Sequence, residues 1–135
     1  MKKLTFMVIA ATAFALTACG KKEYIPIVGV DAGDVSARIS YFASHGWEAE
    51  EISERDITVP AVFSDTYLEY VRMQDKQGLP LRKYAGRAAK LFVYEIKNYS
   101  PDNMKMLAEL IVCDDTAAAS MIYSEDGVSL RMPVS

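Results

Sequence analysis

The chain has few of the residues on which most metal and nucleophile sites depend. Histidine occurs once in 135 residues, as His45, and cysteine occurs twice, as Cys19 and Cys113. A single histidine excludes most zinc sites, and any Ser-His or Cys-His catalytic pair would have to use it. The sequence also has no glycine-rich phosphate loop. It therefore predicts no metal site, no cofactor and no catalytic residue.

The chain also lacks an apolar run long enough to cross a membrane. Residues 4–16 are apolar or small throughout, but a spanning helix needs about 20 such residues. Lys2 and Lys3 precede this run, and Lys21 and Lys22 follow it. A basic start followed by a short apolar run is the pattern of a secretory signal peptide.

The apolar run ends in Leu16-Thr17-Ala18-Cys19, which resembles the lipobox of bacterial lipoproteins. The resemblance implies cleavage between Ala18 and Cys19 and attachment of diacylglycerol, with its palmitate, to the Cys19 thiol. Two acyl chains, at about 0.8 kcal/mol per buried methylene, anchor a protein stably. The alternative is an ordinary signal peptide in which Cys19 lies beside an Ala-x-Ala-like site. We expect an exported protein of a bacterial cell envelope, held on the extracytoplasmic side of the membrane by lipidated Cys19.

Acidic residues outnumber basic residues. Residues 1–18 hold two lysines and no acid, so the remaining 117 residues carry 13 basic and 18 acidic side chains, a formal charge of −5. This balance argues against a nucleic-acid partner, and the length suits one domain with a single core. We expect a signal peptide over 1–18, a lipidated cysteine and tether over 19–33, and one domain over 34–135.

Two segments carry the periodicity and end signals of helices. The first runs from the N-cap Asp34 to Gly46, and the second covers residues 64–77, with Gly78 after its end. The apolar face of the first helix is predicted to consist of Val35, Ile39, Phe42 and Ala43.

Other segments have strand character. The stretch 47–60 ends in residues 57–60 and is predicted to form a short strand or a pair of extended segments. Residues 88–99 and 104–113 form a hairpin, and residues 117–123 form a further strand. One face of the second hairpin strand consists of Met106, Ala108, Leu110 and Val112. We predict an α+β domain in which two helices pack on one face of a small antiparallel sheet, in the order helix, strand, helix and then a meander of about three strands.

The segments YFASHGWEAE, ITVPAVFSDTYLEY and QGLPLRKYAGRAAKLFVYEIKNY follow one another in an order that resembles an uncharacterised bacterial lipoprotein family, domain of unknown function 4830. The resemblance covers roughly residues 38–113. Its most specific pieces are His45-Gly46-Trp47, Val59-Pro60, residues 84–86 and Asn98-Tyr99. The family implies a small exported domain with no known activity, so the resemblance carries no catalytic residue to this chain.

The residues that could support catalysis have simpler explanations. His45 ends a predicted helix, where its imidazole can meet the negative end of the dipole. Cys113 follows three apolar residues and is expected to be a buried thiol. A small hydrolase or thiol enzyme using His45 with Cys113 or Ser120 is the alternative. The acids Glu48, Glu50, Glu51, Glu54 and Asp56 are expected to form a solvated face rather than a cation site.

Aromatic residues offer the remaining functional signal, because such rings give rigid contact area to a ligand. Tyr67, Tyr70 and Tyr94 are placed where helix and sheet should meet, which leaves Trp47, Tyr84 and Tyr99 as predicted exposed binding aromatics. We therefore expect a binding or accessory module for an envelope protein or peptide. A structural lipoprotein without a specific ligand is a further alternative.

Overall fold

The computed structural model describes residues 29–135. The elements follow one another as α1 (Val35–Ser44), β1 (Ala49–Thr58), α2 (Asp65–Lys76), β2 (Ala88–Ile96), β3 (Met106–Cys113), β4 (Thr116–Ser124) and β5 (Arg131–Met132). The strands form one antiparallel sheet in the order β1-β2-β3-β4-β5. The α+β class is confirmed. Four strands rather than about three follow α2, because the two-residue β5 is too short to leave a periodic pattern in the sequence.

Both helices begin and end where their end signals predict. The Asp34 side chain accepts a hydrogen bond from the backbone N–H of Ala37 at 2.8 Å, and the Ser64 side chain accepts one from the N–H of Tyr67 at 3.2 Å. Gly46 and Gly78 follow the two helices with φ of 87° and 75°. These left-handed conformations carry little steric cost only for glycine. Local capping chemistry therefore fixes the limits of α1 and α2.

The strand β1 is longer than the short strand predicted at the end of residues 47–60. The strand has ten residues and pairs with β2 from Ala49 opposite Ile96 to Thr58 opposite Ala88, with a register shift at Ile52, between Glu51 and Ser53. Most of its side chains are charged or exposed. Charged side chains are typical of an edge strand, and they hide the alternation by which a strand is recognised.

The two helices cover opposite faces of the sheet, not one face as predicted. Successive side chains of a strand point to opposite faces. Accordingly Leu110 belongs to the cluster that holds Phe42 of α1, whereas Ile111 belongs to the cluster that holds Val71 of α2. Both faces of β3 carry apolar side chains, and each face therefore has to be covered. The predicted face of Met106, Ala108, Leu110 and Val112 is confirmed, and it packs on the α1 side.

The buried face of α1 differs from the predicted one. Val35 is 54% exposed and Ala43 is also exposed, whereas Arg38 and Tyr41 are buried beside Phe42. Hydrophobicity alone does not select Arg38 for the interior. It is buried because its guanidinium finds a carboxylate and an aromatic ring there, as described below.

Three different groups cover the outer edge of β4. Asp31 forms a bridge with Thr116, and β5 pairs with the other end of the strand. Between them the Gln74 side chain acts as a strand substitute: its Oε1 accepts from the N–H of Ser120 at 2.8 Å, and its Nε2 donates to the Ser120 carbonyl at 2.9 Å. Ala32 is fully buried, so the end of the stretch predicted as a tether belongs to the folded domain.

Candidate functional site

A half-buried carboxyl group lies on the α2 face of the sheet. Glu109 is in the middle of β3, where its neighbours on the adjacent strands are Val93 and Met121. From the helix above, the Tyr70 hydroxyl donates a hydrogen bond to Glu109 Oε2 at 2.8 Å. An acid at this position of a largely apolar strand is unusual, because burial penalises the charged form.

Phe63, just before α2, and two tyrosines in the first half of the helix form a row of aromatic rings near this carboxyl. The rings of Phe63 and Tyr67 are stacked, with centroids 5.6 Å apart, and the rings of Tyr67 and Tyr70 are tilted at 5.3 Å. Tyrosines at a spacing of three lie on one side of a helix. The prediction that Tyr67 and Tyr70 lie between helix and sheet is confirmed, since both pack against the cluster of the α2 face.

A cavity of about 310 Å³ opens beside Glu109. It is lined by Ser64, Thr66, Tyr67, Tyr70, Glu109, Met121 and Arg131. Its wall thus combines two phenols, a thioether, a carboxyl and a guanidinium. A mainly apolar cavity with a few convergent polar groups is the usual form of a ligand site.

The electrostatics of this cavity are unusual. Burial raises the pKa of Glu109, and this effect outweighs the Tyr70 hydrogen bond and the charges of Arg55 and Arg131, which lower that pKa. Burial and the neighbouring Glu109 charge raise the pKa of Tyr70 well above its ordinary value, so Tyr70 remains a hydrogen-bond donor. The negative charge of Glu109 is incompletely compensated.

A second glutamate on the other face of the sheet is bound differently. Arg38 Nε donates to Glu51 Oε1 at 2.9 Å, Arg38 Nη2 donates to Oε2 at 3.3 Å, and the Tyr94 hydroxyl donates to Oε1 at 2.8 Å. The guanidinium also lies 3.8 Å from the centre of the Phe92 ring. Burial alone would raise the pKa of Glu51, but these hydrogen bonds and the Arg38 charge lower it. Glu51 therefore does not belong to the solvated face predicted for it.

The other predicted acids of that face are exposed. Glu50 pairs with Lys97 at 3.1 Å, and Lys90 pairs with Glu54 at 3.7 Å and with Asp56 at 2.9 Å. Within residues 29–135 the structure gathers no group of three or more histidine, cysteine, aspartate or glutamate side chains that could hold a metal ion. These acids form surface ion pairs across β1 and β2.

Of the three predicted binding aromatics, none is fully exposed. The prediction for Tyr84 is wrong: the ring is only 4% exposed, because the short 3-10 turn at Leu81–Tyr84 inserts it into the cluster on the α2 face. Trp47 and Tyr99 are half-buried and meet edge to face at 5.7 Å. The Trp47 indole also donates to the Val134 carbonyl at 2.8 Å. These two rings close one end of the α1 cluster.

The residues of the alternative catalytic site do not form one. His45 is exposed at the end of α1, with its ring 5.2 Å from Tyr41. Cys113 is buried in the cluster on the α2 face, its thiol donates to the Ala88 carbonyl at 3.3 Å, and burial raises its pKa. Ser120 is fully buried, and its hydroxyl shares a hydrogen bond with Tyr41 at 2.7 Å. The expectation that Cys113 is a buried thiol is confirmed.

The predicted lipidation and cleavage residues, Ala18 and Cys19, lie outside the described residues. In the part of the chain that the structure describes, none of the helices has the length and apolar character needed to cross a membrane.

No protein-family model, curated protein or solved structure matches the chain. The resemblance to the uncharacterised lipoprotein family therefore stays a prediction, and the function has to be argued from the site itself.

Glu109 and its cavity were not predicted. The available signal was a single acid between Ala108 and Leu110 in an otherwise apolar strand. Its importance depends on Tyr70 of α2 and on Arg131 of β5, which are far from it in the sequence. Only the packing of α2 on this face shows that the acid is half-buried.

Proposed function

We propose that the chain is a lipid-anchored extracytoplasmic binding or accessory module, and that the cavity beside Glu109 binds a protein or peptide of the cell envelope. The observation that carries the binding role is the half-buried Glu109, held by Tyr70 at the wall of an open cavity. Titratable groups with perturbed pKa values cluster at functional sites. The lipobox-like residues Ala18 and Cys19 support the anchor.

Binding is favoured over thiol or serine chemistry by the positions of the candidate nucleophiles. Cys113 and Ser120 are buried, and a buried thiol with a raised pKa reacts poorly. The cavity instead presents hydrogen-bonding groups and aromatic rings, which suit recognition.

The anchor is tested by metabolic labelling with palmitate. We expect the wild-type chain to incorporate the label and Cys19→Ala to lose it, because the thiol is the predicted acceptor. A comparison with Cys113→Ala is the matched control, since that thiol is buried and should not affect labelling. Label retained by Cys19→Ala would contradict the anchor.

The binding role is tested by photocrosslinking in intact cells. A benzoylphenylalanine in place of Thr66, an exposed residue at the rim of the cavity, should form a defined adduct with an envelope protein or peptide. The same group in place of Ser36, exposed on α1, should not. We expect the adduct only when Cys19 is present, because the anchor holds the module near its partner. Equal adducts from both positions, or none, would contradict the proposed function.

A further inference from the structure

We infer that the cavity beside Glu109 binds an arginine side chain of a partner peptide, with the guanidinium as counter-ion of the Glu109 carboxylate. This inference rests on the proposed function, and it adds the chemical class of the ligand.

The arrangement around Glu51 shows how this chain itself stabilises a half-buried carboxylate. A tyrosine hydroxyl and an arginine guanidinium bind the carboxylate together, and the guanidinium lies on the ring of Phe92. Guanidinium groups bind carboxylates through two parallel hydrogen bonds and also stack on aromatic rings. Glu51 thus has a donor, a cation and an aromatic surface.

Glu109 has two of these three components. Tyr70 supplies the hydroxyl donor, and the rings of Tyr67 and Tyr70 supply the aromatic surface. Among residues 29–135, no lysine or arginine forms an ion pair with Glu109. The missing component is a cation, and the open cavity lies where a ligand could supply it.

The charged and titratable groups around Glu109 within residues 29–135 do not act as this cation. Arg131 lines the cavity, but its Nε and Nη2 donate to the Gly127 carbonyl at 3.3 and 3.2 Å. Arg55 of β1 acts on Glu109 and on Tyr123 of β4 through its charge. Both arginines are exposed, so water screens their charges, and the pKa of Glu109 stays raised in their presence.

The size of the cavity and the charge of the chain agree with this ligand. A volume of about 310 Å³ is at the small end of the range of ligand pockets, about 300–1,000 Å³, and suits one inserted side chain. The net charge of −3 for the whole chain favours the approach of a basic partner over an acidic one.

The test uses two small probes that differ in charge and not in shape. The full chain, purified in detergent micelles, is titrated with N-acetyl-arginine amide and with the neutral N-acetyl-citrulline amide, while NMR follows Met121 and the ring of Tyr70. We expect the arginine probe to shift these signals and to bind at least about tenfold more tightly than the citrulline probe, as a charge-assisted hydrogen bond requires. Equal binding of the two probes would overturn the inference.

Two variants test whether the arginine probe binds at the Glu109 carboxyl. Glu109→Gln keeps the shape and the Tyr70 contact, and we expect it to lower the affinity for the arginine probe by about tenfold or more. Glu69→Gln, which changes an exposed acid next to Tyr70 on α2, should leave the affinity unchanged. Unchanged affinity in Glu109→Gln would overturn the inference. If this variant does not fold, the comparison of the two probes on the wild-type chain decides.

The photocrosslink from position 66 separates the two proposals. Mass spectrometry of the adduct identifies the partner segment at the cavity. A segment that contains arginine supports the inference, whereas a partner segment without arginine overturns it and leaves the binding function standing. An adduct with Lys21 or Lys22 of the same chain would overturn binding of a partner. Absence of any adduct contradicts the proposed function itself.

Discussion

The two faces of the sheet each hold one half-buried glutamate bonded to a tyrosine, and the two glutamates differ in what else they contact. On the α1 face, Glu51 is bound by Tyr94 and by Arg38, and its pKa is lowered. On the α2 face, Glu109 is bound by Tyr70 at the wall of a cavity, and its pKa is raised. Glu51 thus has a cation in contact with it, whereas no lysine or arginine among residues 29–135 forms an ion pair with Glu109.

This difference separates a structural ion pair from a candidate binding site. Arg38 connects three parts of the chain, because its guanidinium also donates to the Ala32 carbonyl at 3.1 Å. It therefore ties α1 both to β1 and to the segment before the helix. The hydrogen bond from Tyr70 to Glu109 Oε2 ties α2 to β3, and Glu109 also lines the cavity.

The largest effect on stability is expected from breaking the ion pair between Arg38 and Glu51. Arg38→Met leaves Glu51 half-buried without its cation, so the free energy of unfolding should fall by about 3 kcal/mol in urea denaturation. Arg82→Met is the matched control, because Arg82 pairs with Asp75 on the surface, with both side chains more than 40% exposed. The control should leave the free energy of unfolding nearly unchanged, because water screens an exposed ion pair. Similar losses of unfolding free energy in the two variants would contradict the structural role inferred for Arg38.

A smaller effect, with opposite pH dependence, is expected from neutralising each glutamate. The pKa of Glu51 lies below its ordinary value of 4.5, so its charge contributes stability at neutral pH that is lost as pH falls below 4.5 through the lowered pKa. The pKa of Glu109 lies above 4.5, so its protonated form contributes stability below 4.5 that is lost as pH rises through the raised pKa.

At pH 7, Glu51→Gln should therefore cost about 2 kcal/mol, and Glu109→Gln less than about 0.5 kcal/mol. As the pH falls to about 3.5, the cost of Glu51→Gln should shrink, while the wild type should gain stability relative to Glu109→Gln. Urea denaturation at a series of pH values measures both. Parallel pH profiles for the two variants would contradict the opposite pKa shifts of Glu51 and Glu109.

An effect smaller than that of Glu51→Gln is expected from removing the hydroxyl that binds Glu109. Tyr70→Phe should lower the free energy of unfolding by about 1 kcal/mol and raise the pKa of Glu109 further, because the Tyr70 hydrogen bond lowers it. Carbon-13 NMR of the Glu109 carboxyl measures this pKa. Tyr99→Phe, which alters the ring that contacts Trp47, should leave it unchanged. A Glu109 pKa that does not rise in Tyr70→Phe would show that the hydrogen bond is weak.

The parts of the fold that depend on local signals could be predicted from the sequence. Asp34, Gly46, Ser64 and Gly78 mark the helix limits because capping uses neighbouring backbone groups. The alternation in β3 likewise identified which of its residues share a face. Such features need no knowledge of what lies across the sheet.

The parts of the fold that depend on residues distant in the sequence could not be predicted from it. Arg38 is buried because it forms an ion pair with Glu51 and lies on the ring of Phe92. The periodicity of the helix sequence does not reveal these contacts. Tyr84 is buried because a short turn directs it inward, against the exposure predicted for it. The same reason applies to the site: Glu109 was visible in the sequence, but its partner Tyr70 is 39 residues away.

Among residues 29–135, Glu51 has a cation in contact with it and Glu109 has none, and titration of the side-chain carboxyls by carbon-13 NMR tests this difference. The full chain in micelles is titrated with and without N-acetyl-arginine amide. Without the probe, we expect Glu109 to titrate above 4.5 and Glu51 below it, these being the directions of their pKa shifts. With the probe, the pKa of Glu109 should fall and that of Glu51 should stay unchanged. A Glu109 pKa at or below 4.5 without the probe, or one that the probe does not move, would contradict the difference inferred between the two glutamates.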